Sequence, residues 1–126
     1  MKSIDAQLHI RSATLPDTAI VLSFIHALAK YERLEHEVVA TEDLLKESLF
    51  GEHPQAEVII GFVNTKPIGF ALFFSNYSTF LGKAGLHLED LFVLEEYRGH
   101  GYGKKLLRHV AQIAVQRNAG RLEWNV

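Results

Sequence analysis

Three glycines at alternate positions, Gly99, Gly101 and Gly103, constrain this chain more than any other feature of its sequence. They follow an apolar segment, Leu86–Val93, that has the length and composition of a buried strand. Apolar residues then recur at helical spacing over residues 101–118. Because glycine is entropically costly in a plain turn, the pattern predicts a strand–loop–helix unit whose backbone comes close to a ligand.

The expected ligand of this loop is an anion. The start of a helix presents unpaired N–H groups and the positive end of a dipole, which together favour negative charge. Arg98, Lys104 and Lys105 add cationic groups suited to phosphate oxygens. We therefore expect the main chain of the loop to hold a pyrophosphate.

Two common phosphate-binding motifs are excluded by spacing. A P-loop begins with glycine and places Ser or Thr after its lysine, whereas Arg98 and Lys105 occupy those positions here. A Rossmann fingerprint has its third glycine one residue later, where this chain has Lys104. The spacing therefore argues against nucleotide hydrolysis and against hydride transfer.

The remaining sequence predicts an α/β (α+β) fold with a mixed, mainly antiparallel sheet flanked by helices. Two neighbouring β-branched and aromatic runs separated by Asn64–Pro67 indicate an antiparallel hairpin, and a crossover helix makes the last strand parallel to the one before it. The predicted strands are Gln7–Ser12, Ala56–Val63, Ile68–Tyr77, Leu86–Val93 and Arg121–Val126. The predicted helices start at Thr14–Asp17, run from Thr41 to Gly51, and cover residues 101–118, and a loop is expected over Ser78–Gly85.

Length and composition fit one globular domain spanning residues 1–126. With 48% hydrophobic and 22% charged residues the chain is not disordered, and 13 basic against 15 acidic residues give no cationic field for nucleic acid. The chain has no cysteine, and it lacks both a membrane-length apolar run and a signal-peptide core. We expect a cytoplasmic protein that binds neither nucleic acid nor membrane.

Arg98, Gly101 and Gly103 satisfy the pattern R-x-x-G-x-G, preceded by Leu91–Tyr97. This arrangement resembles the coenzyme A signature of the GNAT superfamily of acetyl-CoA-dependent N-acetyltransferases, and the order of elements along nearly the whole chain is similar too. Leu28–Glu32 and Leu88–Gly99 resemble the diamine (spermidine/spermine-type) branch. The resemblance implies transfer of acetyl from acetyl-CoA to a primary amine of a small polyamine- or diamine-like substrate, by direct attack in a ternary complex.

Glu89 and Asp90 lie within an otherwise apolar strand, where alternation places them on opposite faces unless a bulge intervenes. A carboxylate is costly to bury alone, so at least one must meet water, a cation or a proton. The resemblance places the catalytic general base, often acting through water, at Glu89. The alternative for Glu89, and equally for Asp90, is a strand-edge carboxylate paired with a nearby Arg or His.

The resemblance also implies the binding residues. Tyr31 and Glu32, with Glu89 and Asp90, would contact the amine, although a solvated helix end explains the first two equally well. Strand N–H groups would hold the cofactor and polarise its thioester carbonyl. The seven histidines show no metal-binding spacing, so no metal is expected. The implied cofactor-binding residues are Leu91, Phe92, Val93, Arg98, Gly99, His100, Gly101, Tyr102, Gly103 and Lys104.

In the resembling family the strand matching Leu122–Val126 is followed by a W-N-x-x-A-x-x-F-Y-like motif, a helix and a hairpin. Its tyrosine is the proposed general acid, for which this sequence offers no candidate. We expect a C-terminally incomplete domain lacking the last helix and hairpin, with a free strand edge that could pair in a homodimer. The alternative function is a truncated, non-catalytic CoA-binding or regulatory domain completed by another chain.

Overall fold

Five strands form one sheet in chain order in the computed structural model, which describes residues 7–125. The first three neighbouring pairs are antiparallel, and β4 and β5 are parallel. The predicted mixed, mainly antiparallel sheet is confirmed. The strands are β1 (His9–Ser12), β2 (Glu57–Val63), β3 (Lys66–Ser78), β4 (Lys83–Val93) and β5 (Leu122–Trp124), and the helices are α1 (Thr18–Tyr31), α2 (Glu42–Phe50) and α3 (Tyr102–Gln116).

Helices cover both faces of the sheet and create two hydrophobic cores. The amphipathic helix α3 packs on one face, where Leu106 and Val110 are fully buried against β2, β3 and β4. Helices α1 and α2 cover the other face, and there Phe24 of α1 stacks on Phe70 of β3 with ring centres 5.3 Å apart. Each core is dominated by the alternate residues of the same strands, so burial fixes the register of the sheet.

The start of α1 differs from the expected single helix. A short 3-10 turn, Leu15–Asp17, precedes it. The buried Asp17 carboxylate accepts hydrogen bonds from Arg11 and from the Thr14 backbone, which together lower its pKa to about 2. The second helix begins after Thr41, whose hydroxyl accepts from Leu44 N, and ends before Gly51, as predicted.

Half of the predicted loop over Ser78–Gly85 is strand, and residues 79–82 form the turn between β3 and β4. Residues 83–85 of β4 pair with residues 76–78 of β3, so the two strands extend beyond β2 as a two-stranded ribbon. These residues are mostly polar or small, which hid the strand from an apolar pattern. At the other boundaries the differences are small: β1 starts at His9 instead of Gln7, β5 covers Leu122–Trp124 of the expected range, and Val126 lies outside the described residues.

Candidate active site

Strands β4 and β5 pair over three residues and then separate. The register joins Leu86, His87 and Leu88 to Leu122, Glu123 and Trp124. From Glu89 to Val93, β4 has no neighbouring strand on this side among residues 7–125. Backbone N–H groups that point towards this gap are therefore available to a ligand.

A β-bulge at Glu89 sets the acidic part of the site. Leu88 pairs with Phe73 and Asp90 pairs with Leu72, so Glu89 is the extra residue of β4. The bulge cancels the simple alternation, and both carboxylates reach one groove of about 220 Å³. This acceptor groove, as we term it, is lined by Leu28, Glu32, Leu88, Glu89, Asp90, Leu91, Leu107, Trp124 and Asn125.

The two neighbouring carboxyl groups have different environments. Asp90 is half-buried, and its burial, followed by the charges of Glu89 and Glu32, raises its pKa to about 6. The Glu89 side chain is 55% exposed. The groove therefore holds a carboxyl group that takes up a proton more readily than an ordinary aspartate, beside carboxylates that face water, and a bound cation would relieve the repulsion among them.

Glu89 also has a histidine neighbour. The His87 ring lies with Nε2 3.9 Å from Glu89 Oε1 and Nδ1 3.8 Å from Glu123 Oε1. Asn76 Nδ2 donates to the same Glu123 oxygen at 2.5 Å. This geometry gives the paired-carboxylate alternative for Glu89 a specific partner, so both interpretations of Glu89 stay open.

A second groove, of about 330 Å³, lies along the glycine loop; we term it the cofactor groove. It meets the acceptor groove at Leu91, which lines both. His100 and Lys104 are exposed and do not line it, and the His100 ring instead stacks on Tyr102 at 5.5 Å. The lining residues are Leu91, Phe92, Val93, Tyr97, Arg98, Gly99, Gly101, Tyr102 and Gly103.

The glycine loop has the geometry of an anion site. Gly99 and Gly101 adopt left-handed φ angles of 87° and 79°, and a Cβ atom on either would have no atom within 4 Å. Gly101 caps α3, whose first internal hydrogen bond joins Lys105 N to Gly101 O. The first-turn amides of Gly103 and Lys104 precede that bond, so a ligand can accept from them. Open space and main-chain donors at a positive helix end fit the pyrophosphate of a coenzyme A.

Arg98 of the cofactor groove contacts the end of α1, which the sequence pattern did not reveal. Its Nε atom donates to Val93 O at 2.8 Å. The guanidinium carbon lies 4.5 Å from the ring centre of Tyr31 and 5.1 Å from that of Phe92. Tyr31 therefore contacts a residue of the cofactor groove, whereas the adjacent Glu32 lines the acceptor groove.

Leu107, Trp124 and Asn125 are groove residues that sequence reasoning missed. They come from α3 and the end of β5, and they reach the groove because β5 diverges from β4. A tryptophan near a strand end was the available signal, but no local spacing encodes that divergence. Residues 7–125 contain no cluster of His, Asp or Glu that could hold a metal ion, and no helix among them is both long and apolar enough to cross a membrane.

Residues 22–126 match the acetyltransferase (GNAT) family. The chain belongs to this family. Because its curated relatives are N-acetyltransferases, this GNAT chain is assigned to the N-acetyltransferases as well.

Two curated relatives and one solved structure illustrate the likeness of this GNAT chain to known proteins. L-ornithine N5-acetyltransferase of Arabidopsis thaliana is 33% identical over 93% of this chain and 71% of its own length. Thialysine N-epsilon-acetyltransferase of Mus musculus is 31% identical over 95% of this chain and 78% of its own length. An aminoglycoside acetyltransferase from an uncultured soil metagenomic sample, 17% identical, superposes with a TM-score of 0.84 over 98% of this chain and 80% of that one, which shows the shared fold.

Proposed function

We propose that this GNAT chain transfers an acetyl group from acetyl-CoA to a primary amine of a small diamine-like molecule. The supporting observation is the junction of the two grooves at Leu91. One groove ends in main-chain donors at a helix N-terminus, and the other contains Glu32, Glu89 and Asp90. An anionic cofactor and a cationic acceptor can therefore meet on one segment of β4.

On the cofactor side, the proposal assigns binding to the main chain more than to side chains. The amides of Gly103 and Lys104 would donate hydrogen bonds to the pyrophosphate, with Gly99 and Gly101 allowing close approach. Exposed His100 and Lys104 would contribute at the rim, while Arg98 and Tyr102 form part of the groove wall. Acetyl-CoA, when bound, supplies an activated acetyl thioester. Strand N–H groups of Leu91, Phe92 and Val93 would hold its amides and its carbonyl oxygen.

On the acceptor side, the groove carries negative charge suited to an ammonium group. Glu32, Glu89 and Asp90 line it together, and burial, followed by the charges of Glu89 and Glu32, raises the pKa of Asp90. The relatives act, by their names, on the N5 atom of ornithine and the Nε atom of thialysine. Both are terminal amines of molecules that carry a second amine, which supports a diamine-like acceptor for this chain.

The chemistry requires that the ammonium lose a proton before it attacks. We assign this step to Glu89, which is exposed enough to act through water, while Asp90 holds the cation near it. The first proton of the ammonium would pass through the carboxylate to solvent, and the neutral nitrogen would form a bond to the acetyl carbon as the carbon–sulfur bond breaks. CoA would leave as its thiolate and take up, through solvent, the second proton that the acylated nitrogen releases. Backbone donors of β4 stabilise the charge that develops on the carbonyl oxygen.

The test combines binding and turnover. Thermal unfolding with millimolar acetyl-CoA or CoA should show stabilisation, because a ligand of the folded state raises its stability. A steady-state assay of CoA release should then show turnover with diamines such as ornithine, thialysine or spermidine. Binding without turnover would favour the non-catalytic CoA-binding function, and no stabilisation by either ligand would remove the cofactor assignment.

A further inference from the structure

We propose that Arg98 is a positioning residue that clamps the end of α1 against β4. The clamp keeps the acceptor side of the site at a fixed position relative to the cofactor side. This inference rests on the proposed function. It differs from a phosphate-binding role because Arg98 acts through the flat face of its guanidinium group on two aromatic rings and not through contact with a phosphate.

The clamp joins three parts of the fold through one side chain. Arg98 follows the short 3-10 turn Glu95–Tyr97 after β4, and its Nε–H to Val93 O hydrogen bond fixes the guanidinium plane. Tyr31, at the end of α1, lies over this group at 4.5 Å, and Phe92 of β4 lies at 5.1 Å. The two rings also contact each other edge to face, with centres 6.3 Å apart. Stacking on aromatic faces is a property of arginine that lysine shares only weakly.

The helix end that the clamp holds is strained. Leu34 N donates to Ala29 O and Arg33 N donates to Lys30 O, which is the hydrogen-bond pattern of a Schellman motif. The motif requires a left-handed residue, usually glycine, but here Arg33 adopts a φ of 61°. A terminus with this cost frays readily unless a tertiary contact holds it. The Tyr31–Arg98 contact supplies one.

Glu32 is the residue that this contact positions. It follows Tyr31 directly, lies in the same helix end, and lines the acceptor groove with Glu89 and Asp90. Phe92, the second ring that the guanidinium contacts, belongs to the strand segment proposed to hold the cofactor. A residue of the glycine motif should therefore influence binding of the amine, which a purely phosphate-binding arginine would leave unchanged.

The experiment compares four variants with the wild type. Arg98→Lys keeps the positive charge but loses the flat group and the Nε donor. Tyr31→Ala removes the ring, Tyr31→Phe is the control that retains it, and Arg98→Lys/Tyr31→Ala tests whether the two act as a unit. For each protein we would measure kcat, the amine KM, the CoA dissociation constant, the melting temperature, and hydrogen exchange of residues 29–34.

We expect Arg98→Lys and Tyr31→Ala each to raise the amine KM by about three- to ten-fold, as the loss of partly exposed cation–π contacts implies. The double variant should behave like either single one, and Tyr31→Phe, which keeps the ring, should keep hydrogen exchange of residues 29–34 at the wild-type rate. The CoA dissociation constant should change less than about two-fold, because the charge is kept. Exchange of residues 29–34 should accelerate in Arg98→Lys while the melting temperature stays close to that of the wild type.

Three results would overturn the clamp. The first is an Arg98→Lys variant in which only CoA binding is weakened. The second is an Arg98→Lys variant in which kcat, both affinities and the melting temperature all fall together. The third is unchanged hydrogen exchange at residues 29–34. Absence of turnover in the wild type would count against the proposed function instead. The exchange comparison needs no activity, so it still decides the clamp in that case.

Discussion

Gly99 and Gly101 need to be glycine for their backbone conformation, whereas Gly103 does not. Gly103 lies in the first turn of α3 without a left-handed φ, and a Cβ atom there would meet Val93 Cγ2 at an ordinary 3.8 Å. Nothing in the fold of residues 7–125 therefore excludes alanine at this position. We attribute the glycine at position 103 to a ligand that approaches the loop closely from outside the chain.

Gly103→Ala should separate stability from binding. The melting temperature should stay the same or rise, because alanine favours a helix over glycine by about 1 kcal/mol. CoA affinity should fall by about tenfold or more, since the methyl group would displace a phosphate from a charge-assisted hydrogen bond. Calorimetric titration with CoA measures the loss, and Gln112→Ala on the exposed side of α3 is the control. Unchanged CoA affinity in Gly103→Ala would contradict the loop assignment.

Asp90 should make stability depend on pH. Its pKa of about 6 in the folded chain exceeds the ordinary value of 3.8, so the folded state holds the proton more tightly. Stability is therefore greatest, with respect to this group, below about pH 4 and falls as the pH rises through 6. Asp90→Asn removes this dependence. Its free energy of unfolding relative to the wild type should therefore be higher at pH 7 than at pH 4, by about 1 kcal/mol after allowance for solvent screening.

Denaturant unfolding between pH 4 and 7.5 measures that difference. The stability gap between Asp90→Asn and the wild type should widen as the pH increases, whereas Glu52→Gln, at a 91% exposed side chain, should show no such trend. A gap that is constant across this range would mean that Asp90 titrates as an ordinary carboxyl group.

At the scale of elements, the β2–β3 hairpin contains a strained turn. Asn64 and Thr65 have φ angles of 51° and 70° and connect the two strands as a two-residue loop. Positive φ at both positions is typical of a type I′ turn, for which Asn-Gly is the preferred sequence. Asparagine tolerates this region, but a β-branched threonine does not.

Thr65→Gly should stabilise the chain by about 1 kcal/mol, because relief of the left-handed strain exceeds the extra entropy of the unfolded glycine. Chemical denaturation measures the effect. Thr79→Gly, at an exposed loop threonine that is not in the left-handed region, should be neutral or destabilising. A Thr65→Gly variant less stable than the wild type would show that the turn is not strained as described.

Elements with a local signal were predictable from the sequence. The helix predicted over residues 101–118 is α3, which ends at Gln116, and the left-handed residue that follows it is Asn118, with a φ of 56°. The bulge at Glu89 was foreseen as an exception to alternation, but its position depends on pairing with Leu72 and Phe73 of another strand. Long-range pairing of this kind leaves no periodic trace in the sequence.

At the scale of the whole molecule, the cofactor groove was predictable and the acceptor groove was not. The first is built from one continuous segment, so the glycine spacing and the following helix were enough to indicate it. The second needs α1, β4, α3 and β5 together and depends on where β5 leaves β4. For the same reason the Arg98–Tyr31 contact, between distant parts of the chain, could not be read from either motif.

The relatives are longer than this chain, which spans 71% and 78% of the two described above. The expected pairing of the free β5 edge with a second copy stays a prediction, as does the alternative in which another chain completes the site. Either arrangement would change the activity that the chain has on its own.

An assay of acetyl transfer itself tests the proposed function most directly. The purified chain should be incubated with acetyl-CoA and, separately, ornithine, thialysine and spermidine, and the products identified by mass spectrometry. The proposed function predicts a mono-acetylated amine whose formation is slowed by at least about tenfold in Gly103→Ala and matches the wild type in Gln112→Ala. CoA binding without acetylated product from any diamine would contradict it.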